Sequence, residues 1–269
     1  MEAPANEIAR LGLAIREAKR VVVFTGAGIS TECGIPDFRS PGGLWTRYKP
    51  IEFSDYLASA ETRLEAWRRY FRLYDEVKDA QPGRGHRAIA KLVHAGKATH
   101  VITQNIDDLH RKAGVPAERI LELHGNGTYA HCLNCDLRHE LDWAREEIER
   151  RARAPACTRC GGIVKTATIS FGQPMPENIM ARAHAASEAA DLFLAIGSSL
   201  KVYPAATLPM LAKRWGAYLS IINREATDFD AIADLVIHWD AGEALAKALG
   251  QEASESLAPK VESHGLRIL

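Results

Sequence analysis

Two cysteine pairs, Cys132-Leu133-Asn134-Cys135 and Cys157-Thr158-Arg159-Cys160, are the residues of this chain whose spacing points most narrowly to one chemistry. Two Cys-x-x-Cys pairs separated by a short polar segment have the spacing of a tetrahedral zinc site. Each pair fits a tight turn, so both of its sulfurs can face one ion. Four thiolates close the zinc shell and leave no position for water or substrate. The metal is therefore expected to be structural, with the reaction chemistry elsewhere. Pairing into two disulfides is the weaker reading: the chain shows no basic-then-apolar leader, and disulfides are rare in the reducing compartment this implies.

Chemistry-bearing residues recur at the ends of apolar runs. Gly26-Ala27-Gly28 follows Val21-Val22-Val23-Phe24, as a phosphate-cradling turn should. The third glycine of the dinucleotide fingerprint would fall at Thr31, and no acidic residue stands at the end of the next strand, so that fingerprint fails. Instead the loop runs on through Gly34-Ile35-Pro36-Asp37-Phe38-Arg39 to Trp45, supplying an arginine for a phosphate and a phenylalanine to cover a ring. A second run ends in Thr103-Gln104-Asn105-Ile106-Asp107. Asn105 and Asp107 could grip a carboxamide, although both types equally favour helix caps. A third ends at His124-Gly125, where an imidazole titrating near working pH suits a general base. Ile196-Gly197-Ser198-Ser199 offers small residues and hydroxyls for close phosphate approach, and Ile222-Asn223-Arg224-Glu225 an amide and a carboxylate for a ribose.

The elements that must position these groups alternate. Apolar β-rich runs occur at 21–24, 100–103, 120–123, 192–196, 218–222 and 235–237. Helical spacing covers 8–19, 86–95, 177–190, 205–215 and 242–249. Strands alternating with helices predict an α/β fold, a Rossmann-like doubly wound parallel sheet with its ligands at the carboxyl edge. Two segments break the rhythm: 48–82, mostly helical, and 129–165, which holds the cysteines and a charged helix near 142–153. These are expected to form a smaller domain, a helical insertion plus a four-cysteine zinc module. The sheet domain then comprises 1–47, 83–128 and 166–250, with 251–269 a polar tail whose Leu266–Leu269 could dock.

Bulk properties narrow the partners. Lys and Arg total 34 and Asp and Glu total 34, which argues against a broad electrostatic footprint for nucleic acid. No apolar run approaches the ~20 residues that span a bilayer. The expectation is a soluble cytoplasmic protein.

Read in order, these motifs resemble the sirtuin family of NAD-dependent protein lysine deacylases, from about Val21 to Leu249. The matching elements are Gly26-Ala27-Gly28-Ile29-Ser30, Gly34 to Arg39, Thr103 to Asp107, His124-Gly125, both cysteine pairs, Phe171-Gly172, Gly197 to Leu200 and Ile222-Asn223. The resemblance implies NAD as a consumed co-substrate and one structural Zn2+. It implies NAD contacts at Gly26, Ala27, Gly28, Asp37, Phe38, Arg39 and Trp45, with Ser30, Asn105, Ile106 and Asp107 at the nicotinamide and Gln104 at the ribose. Gly197, Ser198, Ser199, Asn223, Arg224, Glu225 and Ala241 would hold the adenosine half. His124 is implied as general base and Asn105 as a second catalytic residue. An acyl-lysine peptide would add as a strand between Ile169, Ser170, Phe171 and Gly172 on one side and Val202 and Tyr203 on the other. An ADP-ribosyltransferase or NAD glycohydrolase using the same pocket is the alternative. Two departures bear on specificity. Gln173 stands where the family has an acidic residue, and Tyr70 is followed three residues on by Leu73, not by the arginine that clamps acidic acyl groups. An acidic acyl group would lack that clamp unless Arg69 or Arg72 took its place, so neutral acyl groups are favoured. Cys33 reads as a small loop residue.

Overall fold

The computed structural model describes residues 3–39, 43, 46 and 48–250. Trp45 and the tail from 251, including Leu266–Leu269, lie outside them. Six parallel strands form the main sheet: β1 (Val21–Thr25), β2 (Ala98–Thr103), β3 (Ile120–Glu122), and, after an excursion, β7 (Leu192–Ile196), β8 (Tyr218–Ile222) and β9 (Leu235–Ile237). Their order is β3-β2-β1-β7-β8-β9. The chain thus winds outward from β1 in one direction, returns, and winds outward from β7 in the other. The reversal lies between β1 and β7, the place where such sheets open a ligand crevice.

Each strand is apolar on both faces because both faces are covered. Val21 and Val23 pack under α1 (Ala5–Glu17), α4 (Arg84–His94) and α9 (Ala241–Ala248), against Leu11, Ile15, Ile89 and Leu245. Val22 and Phe24 face the other way, into a core with α7 (Glu177–Ala189) and α8 (Thr207–Arg214). The glycines between β1 and β7 are required by backbone approach. Gly28 N–H donates to Gly197 O at 2.8 Å, and a Cβ on Gly28 would sit 2.7 Å from Gly197 Cα. Gly197 itself has φ +63°, and a Cβ there would meet Ile29 N at 2.4 Å.

The excursion builds a second, antiparallel sheet, β5-β4-β6, from β4 (Gly125–Cys132), β5 (Arg138–His139) and β6 (Val164–Thr168). Its strands start at Gly125 and end at Thr168, so the sheet overruns the 129–165 segment at both ends. Sequence patterning shows no strand at β4, because Gly125-Asn126-Gly127-Thr128 carries no apolar alternation and two of its four residues are glycine. The helical insertion, α2 (Phe53–Ala58) and α3 (Ala60–Val77), packs on this sheet. Trp67, 1% exposed, sits with Phe71, Ala130, Cys132, Leu141 and Val164 in one core. Its Nε1–H donates to Val164 O at 3.3 Å, and Tyr56 OH donates to the same carbonyl at 2.8 Å. Arg145, on α6 (Leu141–Arg151), forks onto Asp75 at 2.7 and 3.0 Å and lies over the Phe71 ring. The two segments that break the sequence rhythm therefore share one core.

Candidate active site and metal centre

The carboxyl ends of β1, β2, β7 and β8 open into one cavity of about 430 Å³. Gly26, Ala27 and Gly28 come from β1, and Gln104, Asn105 and Ile106 from β2. Gly197, Ser198 and Ser199 follow β7, and Asn223, Arg224 and Glu225 follow β8. Asp37, Phe38 and Arg39 enter from the loop after β1, and Ala241 from the start of α9. Gln104 Nε2 bridges to Ser198 Oγ at 2.8 Å, tying the β2 and β7 ends across β1. Arg224 pairs with Asp240 at 2.8 Å, and Asp240 caps α9 through Glu243 N, so Arg224 is anchored at the helix start. Burial holds the Arg39 guanidinium below its usual range, opposed by Asp37.

The other wall belongs to the segment after β6. Thr168, Ile169, Ser170, Phe171, Gly172 and Gln173 line it, facing Val202 and Tyr203. Ile169 N–H donates to His124 O at 2.8 Å, and Gln173 Oε1 accepts Ser170 N–H at 3.1 Å, folding the segment into a fixed edge. Phe171 and Tyr203 expose aromatic surface at the mouth, Tyr203 to 64%.

His124 lies where the two walls meet. Its Nδ1–H donates to Gln104 O at 3.0 Å, which fixes the tautomer and leaves the Nε2 lone pair as base. Burial pulls the imidazole pKa below its ordinary value, and the Gln104 carbonyl opposes that pull. The sign follows: a depressed pKa keeps the ring neutral, and competent as a base, to lower pH than a free histidine. The acid limb of kcat/KM is therefore expected to fall at a pH below about 6.5, the unperturbed histidine value. A limb centred above that value, measured with a substrate that does not itself titrate there, contradicts this environment for His124.

Ser30 and Asp107 do not line the cavity. They stand behind it. Ser30 Oγ–H donates to Asp107 Oδ2 at 2.7 Å, and Asn105 Nδ2 donates to both Ser30 Oγ and Gly26 O at 3.1 Å. Asp107 Oδ1 also accepts Leu109 N–H at 3.0 Å, so one carboxylate oxygen holds the following turn and the other the network.

The four cysteine sulfurs lie within 4.8 Å of one another. Cys132 and Cys160 are 3.4 Å apart and Cys135 and Cys157 3.6 Å, far beyond an S–S bond. Zn–S bonds of about 2.3 Å in a tetrahedron place sulfurs roughly 3.8 Å apart, so the donor set fits zinc. Each pair forms the same knuckle: Asn134 N–H points to Cys132 Sγ and Arg159 N–H to Cys157 Sγ, both at 3.4 Å. Such hydrogen bonds favour thiolates. Four protein ligands leave no open coordination site, so this centre supplies folding and no catalysis.

A model of the Sir2 family matches residues 26–204. The chain belongs to the Sir2 family. It is similar to NAD-dependent protein deacetylase 1 of Bradyrhizobium diazoefficiens, 59% identical over 243 residues that cover 90% of this chain and 95% of that protein. Among solved structures it resembles a Sir2 complex with a p53 peptide and NAD+, with TM-score 0.78 and 32% identity over 91% of this chain and 98% of that one. It also resembles a Sir2 complex with a deacetylated p53 peptide and 3'-O-acetyl-ADP-ribose, with TM-score 0.81 and 31% identity over 90% and 97%.

In this Sir2 fold the residues read from the sequence converge on the cavity or its rear wall, Trp45 lying outside the described residues. Sequence reading passed over Trp239 and Met175, which also line the cavity, and His86 and His110 behind it. Trp239 had a usable signal, since it follows the β9 run just as the recognised motifs follow theirs. His86 had none: it stands in the first turn of an amphipathic helix, where its Nδ1 accepts Gly83 N–H, and only tertiary packing brings it to Ser30.

Proposed function

We propose that this chain removes acyl groups, acetyl by preference, from lysine side chains of proteins, consuming NAD. The observation that carries the reading is His124, held through Nδ1 by Gln104 O, with no hydrogen bond to its other nitrogen among the described residues, at the junction of the cleft at the strand ends and the edge formed by residues 169–172. NAD serves as second substrate: the acyl-lysine amide oxygen displaces nicotinamide from the ribose, and the acyl group ends on that sugar as O-acyl-ADP-ribose. An amide oxygen is a weak nucleophile, so placement must supply much of the acceleration.

The chain's residues divide that work. Asn105, braced from behind by Ser30 and Asp107, receives the nicotinamide carboxamide. Gln104, hydrogen-bonded to Ser198, orients the ribose. Gly197, Ser198, Asn223 and Glu225 hold the adenosine half, with Ala241 near the adenine. His124 takes the proton of a ribose hydroxyl as that oxygen attacks the carbon of the acyl group; the lysine nitrogen leaves carrying that proton, and a water adds to the cyclic acyl cation left on the sugar to give O-acyl-ADP-ribose. Residues 169–172 and 202–203 accept the substrate backbone as an added strand. The thiolate zinc centre suits the reducing cytoplasm.

Leu73 supports the preference for neutral acyl groups. Tyr70 points its hydroxyl at Gly127 O, and its neighbour one helical turn on is aliphatic. A panel of acetyl, propionyl, malonyl and succinyl peptides assayed with NAD tests both parts. Free lysine from acetyl and propionyl peptides is expected, with acidic acyl groups cleaved at least about 10-fold more slowly, the scale of one missing charged hydrogen bond. ADP-ribose transferred to protein, or NAD hydrolysed without lysine release, overturns the reading in favour of the transferase or glycohydrolase.

A further inference from the structure

We propose that His110 is a positioning residue, whose Nε2–H acts through Thr25 and Thr103 to set the backbone of Asn105. The inference rests on the deacylase reading above. Thr25 and Thr103 are the last residues of β1 and β2 and are paired in register, so their side chains form the final tie before both strands open into the cleft. Thr25 Oγ1–H donates to Thr103 Oγ1 at 2.9 Å, and Asn105 N–H donates to the same oxygen at 3.0 Å. His110 Nε2 lies 2.9 Å from Thr25 Oγ1. Because the Thr25 proton is already given to Thr103, the Thr25 oxygen accepts, and Nε2 carries the ring proton.

The remaining nitrogen shows why this is more than packing. His110 is 3% exposed, and its Nδ1 is buried without a hydrogen-bond partner among the described residues. A leucine or phenylalanine would fill the site and leave no orphan nitrogen, so the imidazole is worth its unmet acceptor only for the single donor it brings. Burial, with the neighbouring His86, drives its pKa well down, so the ring stays a neutral one-proton donor. The His86 ring packs beside it at 4.9 Å and approaches Ser30 Oγ at 3.5 Å from the other side. Together the two rings brace the Asn105 and Ser30 pair. Asn105 spends its Nδ2 on Gly26 O and Ser30 Oγ, which leaves Oδ1 for a ligand in the cleft.

The test compares His110→Gln, His110→Asn, Thr103→Val and the double variant His110→Asn/Thr103→Val in the full zinc-loaded chain. A glutamine amide reaches the place of Nε2; an asparagine amide reaches only that of Nδ1. The readouts are kcat, KM for acetyl peptide, and the nicotinamide inhibition constant, which does not depend on how much of a variant folds. His110→Asn is expected to lower kcat roughly 10- to 100-fold, the range for a misplacement of about 1 Å in a reacting complex. It should weaken nicotinamide inhibition alongside and leave peptide KM unchanged. His110→Gln should stay within about threefold of wild type on all three, since the donor is restored. Thr103→Val should match His110→Asn, and the double variant should be no worse than either, as one linked chain requires. Equal constants for the Asn and Gln variants, or losses that multiply in the double variant, overturn the inference while wild-type activity stands. A wild type that frees no lysine rejects the deacylase reading itself.

Discussion

His124→Ala is expected to lower kcat/KM for an acetyl-lysine peptide by about 10²- to 10⁴-fold, the span that a positioned general base contributes. The structure gives the imidazole one constrained task. Gln104 O occupies Nδ1, burial keeps the ring neutral, and the ring stands between the β2 end and the Ile169 edge. In the proposed reaction its proton transfer follows the departure of nicotinamide, because the first bond exchange at the ribose needs no base. The loss should therefore divide. Lysine release nearly vanishes, while exchange of labelled nicotinamide into NAD in the presence of acetyl peptide persists. Steady-state deacylation and label incorporation on the same preparation separate the two. Wild-type rates of lysine release in the variant would remove His124 from the reaction, and loss of both reactions together would assign it to binding.

Removing zinc should abolish deacylation, although no metal touches the proposed chemistry. Structural thiolate zinc sites carry about 10–16 kcal/mol of binding free energy as folding free energy, measured in small peptides at neutral pH. The module here has little else to hold it. Its core is one small cluster around Trp67, Phe71, Leu141 and Val164, and two of its members are the ligands Cys132 and Cys157. The loss reaches the active site through hydrogen bonds. Gly125 pairs with Thr168 between β4 and β6, and Ile169 N–H holds His124 O. When β4 and β6 separate, the base and the substrate edge separate too. Chelation under reducing conditions, or Cys135→Ala, should leave the parallel sheet folded, with its helices still covering both faces. Far-ultraviolet ellipticity should fall only in part while activity disappears. Full activity in protein assayed to hold less than about a tenth of an equivalent of zinc would contradict a folding role for the metal.

Much of this molecule was legible before any coordinates. The two cysteine knuckles are local: ligands three residues apart on a tight turn need no knowledge of the rest of the chain. The six buried strands were legible for a related reason. A strand covered on both faces is apolar at most of its positions, so 192–196, 218–222 and 235–237 coincide with the observed strands, Ser220 being the one polar residue within them. Function showed at their carboxyl ends, because polar residues directly after an apolar run have few structural reasons to be there. The antiparallel sheet did not show. The start of β4 is glycine-rich without apolar alternation, and its longer partner, β6, follows only after β5 and α6, so little within the segment marks it as a strand.

The sequence by itself determined the composition of the site: the four cysteines, the imidazole at 124, and the amides and hydroxyls after β1, β2, β7 and β8. These signals depend on neighbours within one turn or one strand. Tertiary structure alone decided which of those groups meet. It brought Gly28 against Gly197, Ser30 against Asp107 and His86, and His110 against Thr25. Those pairs are joined by strand order and by hydrogen bonds between single polar side chains. Such bonds leave no periodic trace, because a lone buried donor finds its acceptor through the fold and not through spacing along the chain.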